Sequence, residues 1–124
     1  MAADAIATPT LVDAVPFEGK TLWCITGYDT DFSTAIEVKA APGAGKALYL
    51  THVIIQSDDE DAHPHVQDED DNVLIGPLFS TVEGASIDHE FKHPLKLVDN
   101  KALEIKAVAA GNVFFHIEGA TAGG

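Results

Sequence analysis

Short apolar runs rich in Val, Ile, Leu and Phe recur along this chain between clusters of Gly, Pro, Asp and Asn. Apolar residues alternating with polar ones over four to eight positions mark β-strands, whereas a helix would repeat them every three or four. Helical spacing is confined to residues 2–15, where Pro9 and then Pro16 interrupt it. Eight strands are predicted: Thr21–Tyr28, Ser33–Lys39, Lys46–Gln56, His63–Asp68, Val73–Ser80, Ser86–Phe91, Ala102–Val108 and Asn112–Gly119. So many short strands in about 100 residues imply an all-β chain, either two packed antiparallel sheets or a barrel.

Alternation assigns the faces. Val113, Phe115 and Ile117 share one side of the last strand, and Asn112, His116 and Glu118 the other, with Phe114 an aromatic on the polar side. In the strand before it, Leu103, Ile105 and Ala107 oppose Glu104 and Lys106, and Ala109-Ala110-Gly111 is expected to join the two as a hairpin with Gly111 at positive φ. Lys46–Gln56 differs, for Leu48, Leu50 and Ile54 (with His52) fall on one side and Tyr49, Val53 and Ile55 on the other. A strand apolar on both sides is covered twice, here by another part of the chain or by a neighbouring subunit. The residues expected at a subunit interface are Tyr49, Thr51, Val53 and Ile55, with Phe114 and His116.

Residues 1–20 are expected to form an extended arm, 21–119 the sandwich and 120–124 a flexible tail. The arm is apolar, broken by proline, and suited to adding to a partner's sheet edge through Thr8, Pro9, Thr10, Leu11, Val12, Val15 and Phe17.

Composition narrows the partners. Twenty acidic residues against seven basic ones give a net charge of -13 in 124 residues, which excludes binding to nucleic acid or an anionic membrane through bulk electrostatics. No apolar stretch reaches the roughly 18 residues of a membrane span, and the start, Met1-Ala2-Ala3-Asp4, lacks the basic and apolar blocks of a secretory signal. The expectation is a soluble, reduced chain made in the cytosol, its single Cys24 a buried thiol within Leu22-Trp23-Cys24-Ile25.

Candidate chemistry is concentrated in one segment. Asp58 to Asp71 holds eight of the twenty carboxylates in 14 residues, as two acidic turns bracketing His63 and His65. Such turns could hold a divalent cation through oxygen ligands, although neither carries the calcium-loop spacing with its central glycine. His63 and His65, two apart on a strand, could grip a transition metal with Glu69 as third ligand. His63-Pro64-His65, the acid Glu69 and then Gly76 resemble the first metal-binding motif of the cupins, which would imply a metal-binding protein. Ser57 stands where that motif opens with glycine, and the surroundings of His89 and His93 lack the proline and glycine of the second motif. Nucleophile elbows, phosphate loops and dinucleotide fingerprints are absent, and Gly43-Ala44-Gly45-Lys46 reads as a tight turn. No enzyme activity is expected.

A composite pattern covers residues 45–119. It runs from Gly45-Lys46-Ala47-Leu48-Tyr49-Leu50-Thr51-His52-Val53-Ile54-Ile55 through Val73-Leu74-Ile75-Gly76-Pro77 and Phe91-Lys92-His93-Pro94-Leu95-Lys96-Leu97 to Gly111-Asn112-Val113-Phe114-Phe115-His116-Ile117-Glu118-Gly119. In strand texture it resembles the small jelly-roll proteins encoded among the structural genes of tailed phages and related archaeal viruses. That resemblance implies an antiparallel jelly-roll-like β-sandwich of about eight strands, a homotrimer, and a capsid decoration (cement) protein on the virion surface, made in the host cytoplasm and bound to the major capsid protein through its arm. A receptor- or glycan-binding head module of a fibre or spike is the alternative on the same fold.

Overall fold

The computed structural model describes residues 10–17, 20–58, 62–76 and 85–123. Among them are nine strands and no helix: β1 (Thr10–Phe17), β2 (Lys20–Asp29), β3 (Ile36–Lys39), β4 (Lys46–Ser57), β5 (His65–Asp68), β6 (Val73–Ile75), β7 (Ala85–Lys96), β8 (Leu103–Lys106) and β9 (Val113–Gly123). They form two antiparallel sheets, a five-stranded one in the order β1-β2-β9-β4-β7 and a four-stranded one in the order β3-β8-β5-β6. Every connection except β1–β2 and β5–β6 crosses from one sheet to the other, so that β2 to β9 make a jelly-roll β-sandwich, four strands to a sheet.

The inner faces meet in one core. Trp23 and Ile25 of β2, Leu48, Leu50, Val53 and Ile55 of β4, and Val113, Phe115 and Ile117 of β9 pack against Val38, Val66, Leu103 and Ile105 of the small sheet. Connecting segments close it with Phe32, Ala62, Leu97 and Ala107, and the Phe32 ring meets Phe115 edge-on at 6.2 Å. The alternation of β8 and β9 in the sequence is thus followed side chain by side chain.

The structure corrects four expectations. In β4 a register shift between Leu50 and His52 inserts an extra residue, and after it the alternation changes phase. Leu48, Leu50, Val53 and Ile55 are all fully buried on the inner face, while Tyr49, His52 and Ile54 lie on the outer one. The strand is therefore apolar towards one core, and Val53 and Ile55 cannot form a subunit interface. Residues 109–111 do not make a hairpin, because β8 and β9 belong to different sheets; the segment crosses the sandwich, and positive-φ glycines among the described residues are Gly43, Gly45 and Gly76 instead. The tail is strand: β9 runs on to Gly123, pairing with Lys46 to Leu48 and Thr21 to Leu22, with Ala120 only 5% exposed. Finally, Thr10, Leu11, Val12, Val15 and Phe17 lie in β1, an edge strand paired antiparallel with β2 of the same chain. Thr8 and Pro9 lie outside the described residues.

Candidate functional site

The outer side of the five-stranded sheet carries the exposed side chains of Leu22, Tyr28 and Phe114. Because Trp23, Ile25, Gly27 and Asp29 of β2 point inward, Leu22, Cys24, Thr26 and Tyr28 stand outward, and on β9 the same phase puts out Phe114, His116, Glu118 and Ala120. Register then sets these residues in rows across the strands. Tyr28, Phe114 and Gln56 form one; Thr26, His116, Ile54 and Asp88 the next; Cys24, Glu118, His52 and Glu90 the third; Leu22, Ala120, Tyr49 and Lys96 the fourth. Three of the six residues expected at an interface, Tyr49, His116 and Phe114, are thereby on this face, and Thr51, at the bulge, lines the same surface.

The face has three zones. At one end Lys20, Leu22, Tyr49, Thr51, Pro94, Ala120 and Ala122 line a groove of about 400 Å³. Its floor is almost wholly apolar, and Tyr49 is braced there by donating its hydroxyl to the Gly123 carbonyl at 2.9 Å. At the other end a second cleft of about 400 Å³ is lined by Tyr28, Gln56, Ser57, Asp58, Asn112, Val113 and Phe114.

Between them lies a titratable band. His52 Nε2 is 2.6 Å from Asp88 Oδ1, and His116 Nε2 is 3.1 Å from Glu118 Oε2. The hydrogen bond to Asp88 holds the His52 pKa above the ordinary imidazole value; partial burial opposes it, and the charges of Asp88, Glu118 and Glu90 add to it. His52 is thus an outer-face residue paired with a carboxylate and not one in line with Leu48 and Leu50. Cys24, opposite Glu118, is half-buried, and His89, on the opposite side of β7 beside Val53, is exposed with its ring edge-on to Phe91 at 4.6 Å.

The second acidic turn, Asp68 to Asp71, is tied into the fold by hydrogen bonds. Asp68 is buried at the end of β5, and its carboxylate accepts the amides of Asp70 and Asn72 and the side-chain amide of Asn72 at 2.9–3.0 Å. Burial pushes its pKa up, but those hydrogen bonds and the Lys101 charge outweigh it and hold the carboxyl below its usual range. Glu69 accepts the Ala102 amide at 2.8 Å, and His65 Nε2 is hydrogen-bonded to Gln67 Oε1 at 2.7 Å. Among the described residues no three His, Cys, Asp or Glu side chains are grouped as a metal ion would need, so His63, His65 and Glu69 are not brought together as a ligand set. Asp59, Glu60 and Asp61 of the first acidic turn lie outside the described residues.

No protein-family model matches the chain, and no similar curated protein or solved structure was found. The reading of the site rests on its residues. Sequence reasoning missed Leu22, Tyr28, Ile54 and Pro94 on the outer face. Tyr28 carried a signal, being in phase with Thr26 and Cys24 on the polar side of its strand, but Ile54 was hidden by the bulge.

Proposed function

We propose that this chain is a structural virion protein, a homotrimeric capsid decoration protein that sits on the outer surface of the major capsid shell and has no catalytic role. The observation that carries the reading is the outer face of the five-stranded sheet. In a chain of net charge -13, like molecules repel wherever carboxylates meet. On this face the carboxylates Asp88, Glu90 and Glu118 are set against Lys20, Lys96 and two histidines, around Leu22, Tyr49, Ile54 and Ala120. It is the surface on which copies of this chain come together at least electrostatic cost, and the apolar groove at its Tyr49 end supplies the contact. Around a three-fold axis each copy presents that groove to the next.

The shell contact falls to the first strand and the residues before it. β1 is a sheet edge, with one row of backbone groups turned away from β2 and free to pair with a strand of the capsid protein. Three copies of that modest contact per trimer add up through avidity.

Co-sedimentation with shells assembled from the cognate major capsid protein tests this directly. The full chain is expected to saturate the shell at one trimer per local three-fold position. Deletion of residues 2–17 is expected to remove shell binding while the trimer persists in sedimentation velocity. Full shell binding by the truncated chain would sink the role of β1, and a chain that is monomeric at every concentration would sink the trimer.

A further inference from the structure

The loop end of the five-stranded sheet carries a second site, remote from the groove used for self-association above. Tyr28 of β2 and Phe114 of β9 stand opposite each other in register, with Gln56 of β4 on the far side of Phe114. The two rings are 41% and 39% exposed, although each fully buried aromatic would contribute about 2–3 kcal/mol to folding. A single exposed ring is ordinary, but two side by side on the floor of a cleft of about 400 Å³ mark a binding surface.

The wall above that floor is polar and already fixed. Asn112 donates its side-chain amide to Asp58 Oδ2 at 3.0 Å, and its backbone carbonyl accepts the Ser57 hydroxyl at 3.0 Å. The Asp58 carboxylate is therefore held at the rim, exposed to solvent and with acceptor capacity left over. An apolar ligand would desolvate this carboxylate without replacing its hydrogen bonds. An anionic ligand would meet Asp58 itself within a chain of net charge -13.

We propose that this cleft binds a neutral pyranose saccharide, its C–H face laid on Tyr28 and Phe114 and its hydroxyls bonded to Asp58, Asn112 and Gln56. A pyranose is the ligand with both surfaces, one face of aliphatic C–H groups and a rim of hydroxyls that donate as well as accept. Asp58 takes hydroxyl protons, while the amides of Asn112 and Gln56 can serve both directions. The site is independent of the capsid reading.

The test is saturation-transfer NMR and titration calorimetry on the full chain, with glucose, galactose, mannose and N-acetylglucosamine and their short oligomers. At least one is expected to bind, with a Kd of about 1 mM for a monosaccharide, as suits a small open site. Tyr28→Ala and Phe114→Ala should each weaken it about tenfold or more, and Asp58→Ala about tenfold, with far-UV circular dichroism unchanged. Phe114→Trp keeps the platform, should retain binding, and guards against reading a folding defect as a lost site. Absence of saturable binding by every sugar at about ten times that concentration overturns the proposal. So does affinity that survives both alanine substitutions, or capture of an apolar dye such as anilinonaphthalene sulfonate with no sugar bound.

Discussion

The two sheets bury the same kind of inner face and turn opposite outer faces to solvent. Outside the five-stranded sheet stand Leu22, Tyr28, Tyr49, Ile54 and Phe114, with carboxylates confined to one band. Outside the four-stranded sheet, Glu37 of β3 is directly opposite Glu104 of β8, which is opposite Gln67 of β5. Gln67 donates to Glu104 at 2.9 Å and to Asp71 at 3.1 Å, spending one amide group on two carboxylates. At that position the small sheet sets like charges side by side in water, while Lys106 of β8 stands on the same face. On the large sheet two of the outward carboxylates are paired with histidines, Asp88 with His52 and Glu118 with His116. The acidity of the chain is therefore unevenly placed, and the exposed aromatics Tyr28 and Phe114 lie on the large sheet.

The comparison breaks most completely where the large sheet depends on a missing side chain. At Gly119 a Cβ would stand 2.3 Å from the Tyr49 carbonyl oxygen and 2.7 Å from the Trp23 ring. Neither can give way, since one is backbone of the adjoining strand and the other is buried in the core. Gly119→Ala is expected to cost about 3 kcal/mol or more in urea unfolding, and to disturb the groove along with the fold. A loss under about 1 kcal/mol would mean that β9 and β4 are not packed this closely.

How far the sequence discloses this contrast depends on how local the cause is. The strands were legible because period-two alternation is written into neighbouring residues, as in Val113, Phe115 and Ile117. The extra residue in β4 was not, because nothing about Thr51 marks a bulge, and a slip of one position exchanges Val53 and Ile55 for His52 and Ile54. The end of β9 is Ala, Thr and Gly, without apolar alternation. It is held as strand by distant residues, Trp23 donating its indole N–H to Thr121 at 3.1 Å and Tyr49 bonding Gly123. β1 was obscured by Pro16 and by Asp13, next to its own register shift. Of the candidate sites, Tyr49 and His116 were recognisable as outward-facing, whereas the Tyr28, Asp58 and Asn112 cleft is assembled from three strand ends far apart in sequence.

The next largest effect separates the outer faces without touching the core. Tyr49→Asp adds a carboxylate to the outer face of the large sheet and removes a ring from the groove. Self-association of the folded protein measured by sedimentation velocity is expected to weaken about 100-fold, with a smaller loss of stability because the Tyr49 hydroxyl also holds the end of β9 at Gly123. Equal association would exclude the groove as the contact.

Asp68 is the matching point on the small sheet. Asp68→Ala removes a buried carboxylate that accepts three hydrogen bonds from the turn after β5, and should cost about 2 kcal/mol of folding stability, with association measured on the folded protein unchanged. The pH dependence follows from the sign of its shift. A carboxyl held below its ordinary value contributes stability that is fully present above the unfolded value and is lost as pH falls through the folded one. Folding stability measured by urea unfolding should therefore fall more steeply with falling pH in wild type than in Asp68→Asn, which has no proton to take up there, so that the wild-type advantage narrows in acid. Identical acid limbs would show that the turn does not sense pH.

His52 sharpens the contrast in the opposite direction. Its pKa is raised by Asp88, so the charged pair is complete below the ordinary histidine value and is lost as pH rises through the raised one. Around it stand Asp88 and Glu90 on β7 and Glu118 and His116 on β9. Once His52 is neutral, those carboxylates face a second copy uncompensated. Self-association is expected to weaken about tenfold as pH rises through that raised value, and His52→Asn should flatten the profile. A pH-independent constant would leave the groove as the contact and remove the band from it.

The smallest effect tests whether the small sheet is held acidic at a cost. Like charges directly opposite on neighbouring strands destabilise the pair, and opposite charges stabilise it, by a few tenths of a kcal/mol to about 1 kcal/mol. Glu37 is exposed, so its replacement disturbs no packing, and Glu104 remains to accept the Gln67 amide. Glu37→Lys should accordingly stabilise the fold by about 0.5 kcal/mol in urea unfolding, and the gain should fade at about 1 M salt, where the screening length shortens to about 3 Å. Because the substitution also removes two units of repulsion from the solvent-facing sheet, it should leave the saccharide cleft and the groove untouched while making the protein less soluble. A gain that persisted in salt would have to come from strand propensity and not from charge, and the acidity of this face would then carry no folding penalty.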